Sequence, residues 1–248
     1  MKLNRIIRRL AREVNELEFD APVTHVYNPL DYAWAVHKEY LDRFGERTGR
    51  VFMMGMNPGP FGMAQTGIPF GEVAAVRDWM GLTARVKRPT GEHPKRPVEG
   101  FDCARSEVSG RRLWGWAAER FGTPKKFFRH FFVHNYCPLV FMEESGRNRT
   151  PDKLAREERD PLYEICDRAL AAMVDALEPS LVIGVGTFAE ARAKQVLGDR
   201  EIPVARILHP SPASPRANQG WEKIVEGELA ALAEEYPQVG ELGIAPTR

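Results

Sequence analysis

Apolar residues fall along this chain in two rhythms. Four short stretches are apolar almost without a break: Val51–Gly55 (VFMMG), 131–136 (FFVHNY), 180–185 (SLVIGV) and 204–208 (VARIL). Runs of this length, ended by Gly, Pro or Asn, predict strands buried on both faces. Between them the apolar positions recur at helical spacing. Leu3, Ile6, Ile7, Leu10, Val14 and Leu17 line one side of an N-terminal amphipathic helix at about 1–18, read as packing on the domain with its basic face in solvent. Further helices are predicted over 32–44, capped by Asp31; from Glu72 to Met80; from Ser106, with Leu113, Trp114, Ala117 and Phe121 on one face; from Pro161 to Leu177; over 189–198; and from Trp221. The stretch 86–102 is too broken by Pro and Gly for regular structure, and 145–149 reads as a polar, Arg-rich loop. Buried strands separated by helices define an α/β fold: three layers, α/β/α, around a central four-stranded parallel sheet.

In such sheets the ligand crevice lies beyond the carboxyl ends of the strands. Asn57, Asn135, Gly186 and His209 all fall just past predicted strand ends, so residues distant in sequence converge on one rim. The first strand empties into a loop holding Asn57, Pro58, Gly59, Pro60, Gly62, Gly67, Pro69 and Gly71, which suits main-chain groups held close to a flat ligand. The last opens into HPSPASPRANQGW (209–221), a stiff loop whose Ser211, Ser214, Arg216, Asn218 and Gln219 offer donors to phosphates or a groove. Residue types alone leave the plainer alternatives open: an irregular connection for the first loop, a strand cap for the second.

Length, charge and cysteines narrow the field. The 248 residues carry no linker-like stretch, which predicts a single domain over 1–248, and a net charge of +1 means any polyanion must be met by a local patch. Three scattered cysteines, Cys103, Cys137 and Cys166, support neither a disulfide framework nor a zinc or iron–sulfur site. Charges interrupt the N-terminal segment every few residues, against a signal peptide or a membrane span, and a bacterial cytoplasm is the expected compartment, the nucleus if the source is eukaryotic. Common cofactor signatures fail: Gly184 and Gly186 follow a strand, but Ala189 stands where a dinucleotide fingerprint needs its third glycine, and GMNPGPFG lacks the Lys of a phosphate loop. No metal and no cofactor is expected, only Asn, His and backbone amides.

Those two loops resemble the single-strand-selective monofunctional uracil-DNA glycosylases, a branch of the uracil-DNA glycosylase superfamily. GMNPGPFGMAQTGIPFGEV (55–73) is similar to that family's first motif and HPSPASPRANQGW to its second, while SEVSGRRLW, FFVHNYCPL, SGRNRTP and VIGVG follow in the family's order across roughly 20–235. The resemblance implies a uracil-DNA glycosylase-like fold and hydrolysis of the N-glycosidic bond of uracil, with 5-hydroxymethyluracil and related oxidised pyrimidines, in single- and double-stranded DNA. It implies His209 as the donor to the departing base's O2 and Asn57, in place of the Asp of other branches, as the group that orients water. An amide cannot take a proton at neutral pH, so the mechanism is dissociative and needs no covalent intermediate. No lysine stands in either motif, in keeping with a glycosylase without lyase activity.

The resemblance also places Met56, Gly59, Pro60, Phe70 and Asn135 around the base. Asn135 would accept from N3–H and donate to O4, the reverse of what cytosine offers. Taken as residues alone, Phe70 reads equally as core and Asn135 as a strand-end cap. DNA contact is expected from Gly146, Arg147, Asn148, Arg149 and Lys153, and from a wedge of Ser211, Pro212, Ala213, Ser214, Arg216 and Asn218. Ala213 departs from the vertebrate pattern, which has an Arg, so weaker retention of duplex product is expected. The partner is uracil-containing DNA, no membrane is involved, and the working form is a monomer. Two alternatives stand beside this: a glycosylase mainly for deaminated purines, and a non-catalytic lesion binder.

Overall fold

The computed structural model describes residues 2–236. The four apolar runs form the predicted sheet: β2 (Val51–Gly55), β3 (Phe131–Asn135), β6 (Leu181–Val185) and β7 (Val204–Ile207) lie parallel in the order β3-β2-β6-β7. Val51 pairs with both Phe131 and Leu181, and Val185 with Ile207, so the strands run in step and their carboxyl ends form one edge. All residues of β2, β3 and β6 are buried, as continuous apolar runs require when both faces are covered.

By contact the helices fall into two groups. On one side α1 (Lys2–Asn15) packs on α7 (Arg156–Leu177), which meets α8 (Thr187–Leu197) over β6 and β7; α2 (Pro29–Tyr32) and α3 (Trp34–Phe44) adjoin α1. On the other, α5 (Val108–Phe121) meets α6 (Pro124–His130) and α9 (Trp221–Glu235). The expected stripe of α1 is inward: Leu3, Ile7, Leu10 and Val14 are buried, with Ile6 and Leu17 partly so. Around α5 and α6 the core is aromatic, with Trp114 5.6 Å from Phe127 and Phe127 stacked on Phe131 at 5.0 Å.

Several local expectations are corrected. The cap before 32–44 is Asn28 and not Asp31: Leu30 N–H donates to Asn28 Oδ1 at 3.1 Å, starting α2, and α3 follows after a break at Ala33. α7 begins at Arg156, ahead of Pro161, because a proline inside the helix removes only one bond, on an exposed turn. The helix expected from Glu72 is mostly a π turn, Ala75–Trp79. The 145–149 loop is the tip of a second, antiparallel sheet that was not foreseen, in the order β1-β4-β5, where β1 is Val23–Tyr27, β4 Val140–Glu143 and β5 Asn148–Arg149. After β2 a short helix, α4 (Met63–Thr66), turns the chain back to the rim, ending at Gly67 in the left-handed region (φ +75°).

Candidate active site

At the carboxyl edge of the parallel sheet lies a cavity of about 420 Å³. Its wall includes Met56, Asn57, Gly59, Pro60, Phe70, Asn135 and His209, so the sequence-derived catalytic and base-binding residues are brought together there. Backbone pairing holds the rim: Tyr136 N–H donates to Gly55 O and Cys137 N–H to Met56 O, tying the loops after β2 and β3 together.

His209 has a defined protonation state. The Ser211 amide N–H donates to His209 Nδ1 at 3.0 Å. A ring nitrogen that accepts carries no proton, so the neutral imidazole bears its hydrogen on Nε2. Desolvation in the cavity wall pushes this imidazole down to about 4, and nothing charged opposes it. His209 is therefore a neutral donor at physiological pH. Gly186, at φ +92°, leaves the ring its place, since a Cβ there would stand 3.1 Å from His209 Cβ.

The two asparagines are turned by their neighbours. Asn57 Nδ2 donates to Leu139 O at 3.1 Å, which leaves Oδ1 as its free acceptor. Asn135 Nδ2 lies 3.3 Å from Met63 Sδ, while Asn135 Oδ1 is buried without a donor. Gly55 makes room for that amide, for a Cβ on Gly55 would come within 2.4 Å of Asn135 Oδ1. Phe70 is half-buried, 5.9 Å from the His209 ring, and holds a left-handed backbone at φ +54° that bulky residues avoid. Gly110 of α5 permits this, as a Cβ there would meet Phe70 O at 2.0 Å.

The residues expected at DNA divide. Asn148, Ser211 and Pro212 line the cavity, while Arg147 is exposed on the turn after Gly146, whose φ is +82°. Arg149 builds the turn instead of facing outward: its guanidinium donates to Lys153 O at 2.6 and 2.9 Å and pairs with Glu143 at 2.9 Å. Lys153 is exposed beside Asp152, at 3.3 Å. In the loop after β7, Ala213 N–H donates to Ser211 Oγ and Asn218 Nδ2 to Pro212 O, Pro212 and Ala213 stand out at the tip, Ser214 Oγ accepts from Ala217 N–H, and Arg216 reaches Glu228 at 3.4 Å.

Sequence reasoning did not assign several residues at the site, Pro58 and Thr150 of the cavity wall among them. Glu107 and Ser109, at the start of α5, and Met63 line the cavity. Arg112, one turn into α5, donates to Pro210 O at 3.0 Å and Asn218 Oδ1 at 2.8 Å, clamping both ends of the loop after β7. The only signal was their position inside SEVSGRRLW and the first motif. Among the described residues no three His, Cys, Asp or Glu side chains stand together as metal ligands would.

A parallel sheet whose edge carries an Asn, a neutral His and a Phe around one cavity defines a class. The chain matches the uracil DNA glycosylase superfamily over residues 43–226 and belongs to it. Within the superfamily its place is more particular. It is 51% identical over 226 residues to the rat (Rattus norvegicus) single-strand selective monofunctional uracil-DNA glycosylase, spanning 90% of this chain and 81% of that one. The cattle (Bos taurus) protein of the same name is 50% identical over 226 residues. The chain thus belongs to the single-strand selective monofunctional family. Its fold is also that of a crystal structure of Pedobacter heparinus SMUG2, with a TM-score of 0.66, 14% identity, and coverage of 92% of this chain and 97% of that one.

Proposed function

We propose that this protein hydrolyses the N-glycosidic bond of uracil, and of 5-hydroxymethyluracil and related oxidised pyrimidines, in single- and double-stranded DNA, leaving an abasic site. The observation that carries this reading is the Ser211 N–H to His209 Nδ1 bond, which makes Nε2–H a fixed, neutral donor on the cavity wall. As the bond to the base breaks, negative charge grows on O2, and a positioned donor there is the most valuable catalytic group. Asn57 serves the other half of the reaction. Its amide, held by Leu139 O, presents Oδ1 to a water that captures the oxocarbenium-like sugar.

Asn135 reads the base: Oδ1 accepts from N3–H and an N–H of Nδ2 donates to O4, while Phe70 stacks on the ring. Cytosine would set its N4 amino group against Nδ2 and leave Oδ1 unmatched. Among the described residues no lysine lines the cavity, which supports a glycosylase that forms no Schiff base and leaves the strand intact. Arg147 and Lys153 meet phosphates, Gly146, Asn148 and Arg149 shape the turn that carries them, and the tip at Pro212 and Ala213 fills the space of the extruded nucleotide. The working form is proposed to be a monomer, on the ground that a DNA-scanning enzyme of this size needs no partner to complete its pocket.

The test is alkali-revealed cleavage of a single-stranded oligonucleotide containing one uracil. Wild type is expected to cleave it in the presence of chelator, and only after alkali, with the rate falling about 10²- to 10³-fold in Asn57→Ala and in His209→Ala. Binding without cleavage by the wild type would favour a lesion binder. Cleavage only of hypoxanthine or xanthine would favour a purine enzyme.

A further inference from the structure

Residues 92–99 form neither helix nor strand, yet buried side chains hold them in place. Gln65, 1% exposed, ties them to the first motif's loop: its Nε2 donates to Pro60 O and Pro97 O, each at 3.0 Å, and its Oε1 accepts from the N–H of Glu99 at 2.8 Å and of Gly100 at 3.1 Å. The Tyr27 hydroxyl of β1 donates to Arg96 O at 2.8 Å and accepts from His93 N–H at 2.7 Å. His93 Nδ1 accepts from Lys95 N–H at 3.0 Å, so Nε2 carries the ring proton and donates to Glu143 O at 3.1 Å. The stretch is thereby locked to the cavity wall through Pro60 and to the antiparallel sheet that carries the 145–149 turn. A Cβ on Gly146 of that turn would stand 3.3 Å from Lys95 Cβ and from Arg96 Cζ.

What this fixed stretch presents outward is charge without a counter-charge. Arg88 pairs with Glu92 at 3.6 Å and Arg149 with Glu143 at 2.9 Å, but among the described residues no ion pair engages Lys95, Arg96, Arg105 or Arg147. Phe61, next to Pro60 of the wall, has the Arg105 guanidinium over its ring at 3.9 Å and that of Arg96 at 5.3 Å. An aromatic face fixes a guanidinium without neutralising it. Lys95 and Arg105 are exposed, and Phe61 and Arg96 half-buried. In a chain whose net charge is only +1, cations left unpaired along one flank of a cavity make the local patch that a polyanion needs.

We propose that Lys95, Arg96 and Arg105, with Phe61 holding the two guanidiniums, form a strip that binds phosphates of the DNA strand flanking the extruded nucleotide and continues the contact begun by Arg147. The inference rests on the uracil-glycosylase reading of the cavity. A strand that delivers its base into the cavity runs on across the rim, and on the Pro60 side Phe61 and its two guanidiniums are the next groups along the surface. Phosphate contacts of this kind position a strand without reading its bases, so the strip adds affinity and not sequence preference.

The test uses wild type, Lys95→Ala, Arg105→Ala, the two combined, Phe61→Leu and Arg88→Ala. Binding to a single strand without uracil is read by fluorescence anisotropy across a salt series, so that it does not depend on cleavage; KM and the rate at saturation are read on strands with one uracil. Loss of Lys95 or Arg105 is expected to weaken binding about three- to fivefold and to flatten the slope of log K against log[salt] by about 0.7 each, with the rate at saturation changing less than about twofold. Phe61→Leu, which frees Arg105 but keeps its charge, should weaken binding about twofold and leave the slope in place. Arg88, whose charge Glu92 already meets, is the control and should change neither. The rise in KM should vanish when the strand is trimmed on one side of the uracil and persist when it is trimmed on the other, because the strip lies along one flank. An unchanged slope in the combined variant would overturn the proposal. So would equal losses in Arg88→Ala, which would reduce the strip to overall charge, or a saturating rate that falls as far as kcat/KM, which would mean that these residues only support the wall. A wild type that binds the strand through the strip yet leaves uracil uncut would count against the glycosylase reading and not against the strip.

Discussion

At the scale of single residues, the chemistry depends on which atoms the fold leaves unengaged. His209 is held neutral from two directions: the Ser211 N–H fills Nδ1, and the cavity wall offers an imidazolium nothing in exchange for its lost water. With the imidazole at about 4, the Nε2–H tautomer should persist down to pH 5.5, well below the ordinary midpoint of 6.5. Nitrogen-15 NMR of the histidine rings checks this directly, and a His209 titration centred near pH 6.5 would show that the donor is a cation for part of its working range. Asn57 and His209 were legible in the sequence because each follows an apolar run at a strand's end. Glu107 and Arg112 were not. A single polar residue on a helix breaks no period, and only the approach of α5 to the two loops gives these side chains something to do.

At the scale of elements, the loop after β7 is a braced structure, and Arg112 is its brace. Two bonds from one guanidinium reach Pro210 O and Asn218 Oδ1 at either end of a loop whose tip is Pro212 and Ala213. Arg112→Ala should leave the sheet folded but let the tip wander, because bonds from a charged donor contribute about 1.5–3 kcal/mol each. The expected loss is about tenfold in kcat/KM on uracil in duplex DNA and smaller on a single strand, where no partner base must be displaced. Equal effects on the two substrates would mean that the brace serves the cavity and not the wedge. The parallel strands were readable because each is apolar throughout. The antiparallel sheet was not, since VTHVY alternates weakly and β5 has only two residues, both partly exposed. Asp31 misled in the same way: Asx residues cap by where their side chains point, and Asn28, three positions earlier, made the bond.

At the scale of the whole molecule, the parallel sheet that gathers the rim also buries two imidazoles behind it. His134 lies in β3 and His37 in α3, with ring centroids 5.5 Å apart. Each Nδ1 donates to a carbonyl at 2.7 Å, His37 to Gly67 O and His134 to Asn135 O, so both sustain the backbone of the site. Their Nε2 atoms are buried without partners, and burial pushes His37 down to about 3 and His134 to about 4. Protonation is thus easier in the unfolded chain, where the midpoint is 6.5. Above that pH neither form takes the proton and nothing is lost. Below it the unfolded state gains protons that the folded state refuses, so stability falls by up to about 1.4 kcal/mol per pH unit for each imidazole. Glu107 works the other way, its raised carboxyl favouring the folded form as pH drops, but it is one group against two imidazoles, with His209 a third. The exposed carboxylates whose ion pairs lower them, Asp42 and Asp160 among them, act only below their ordinary value of 3.8. Urea midpoints taken between pH 7.5 and pH 5 should therefore fall, His37 and His134 alone removing roughly 4 kcal/mol of unfolding free energy at the acid end, with the decline starting near 6.5. A midpoint that stays level across this range would mean that the folded core admits protons to His37 and His134 as readily as water does, and that these rings are not the neutral supports of Gly67 and Asn135.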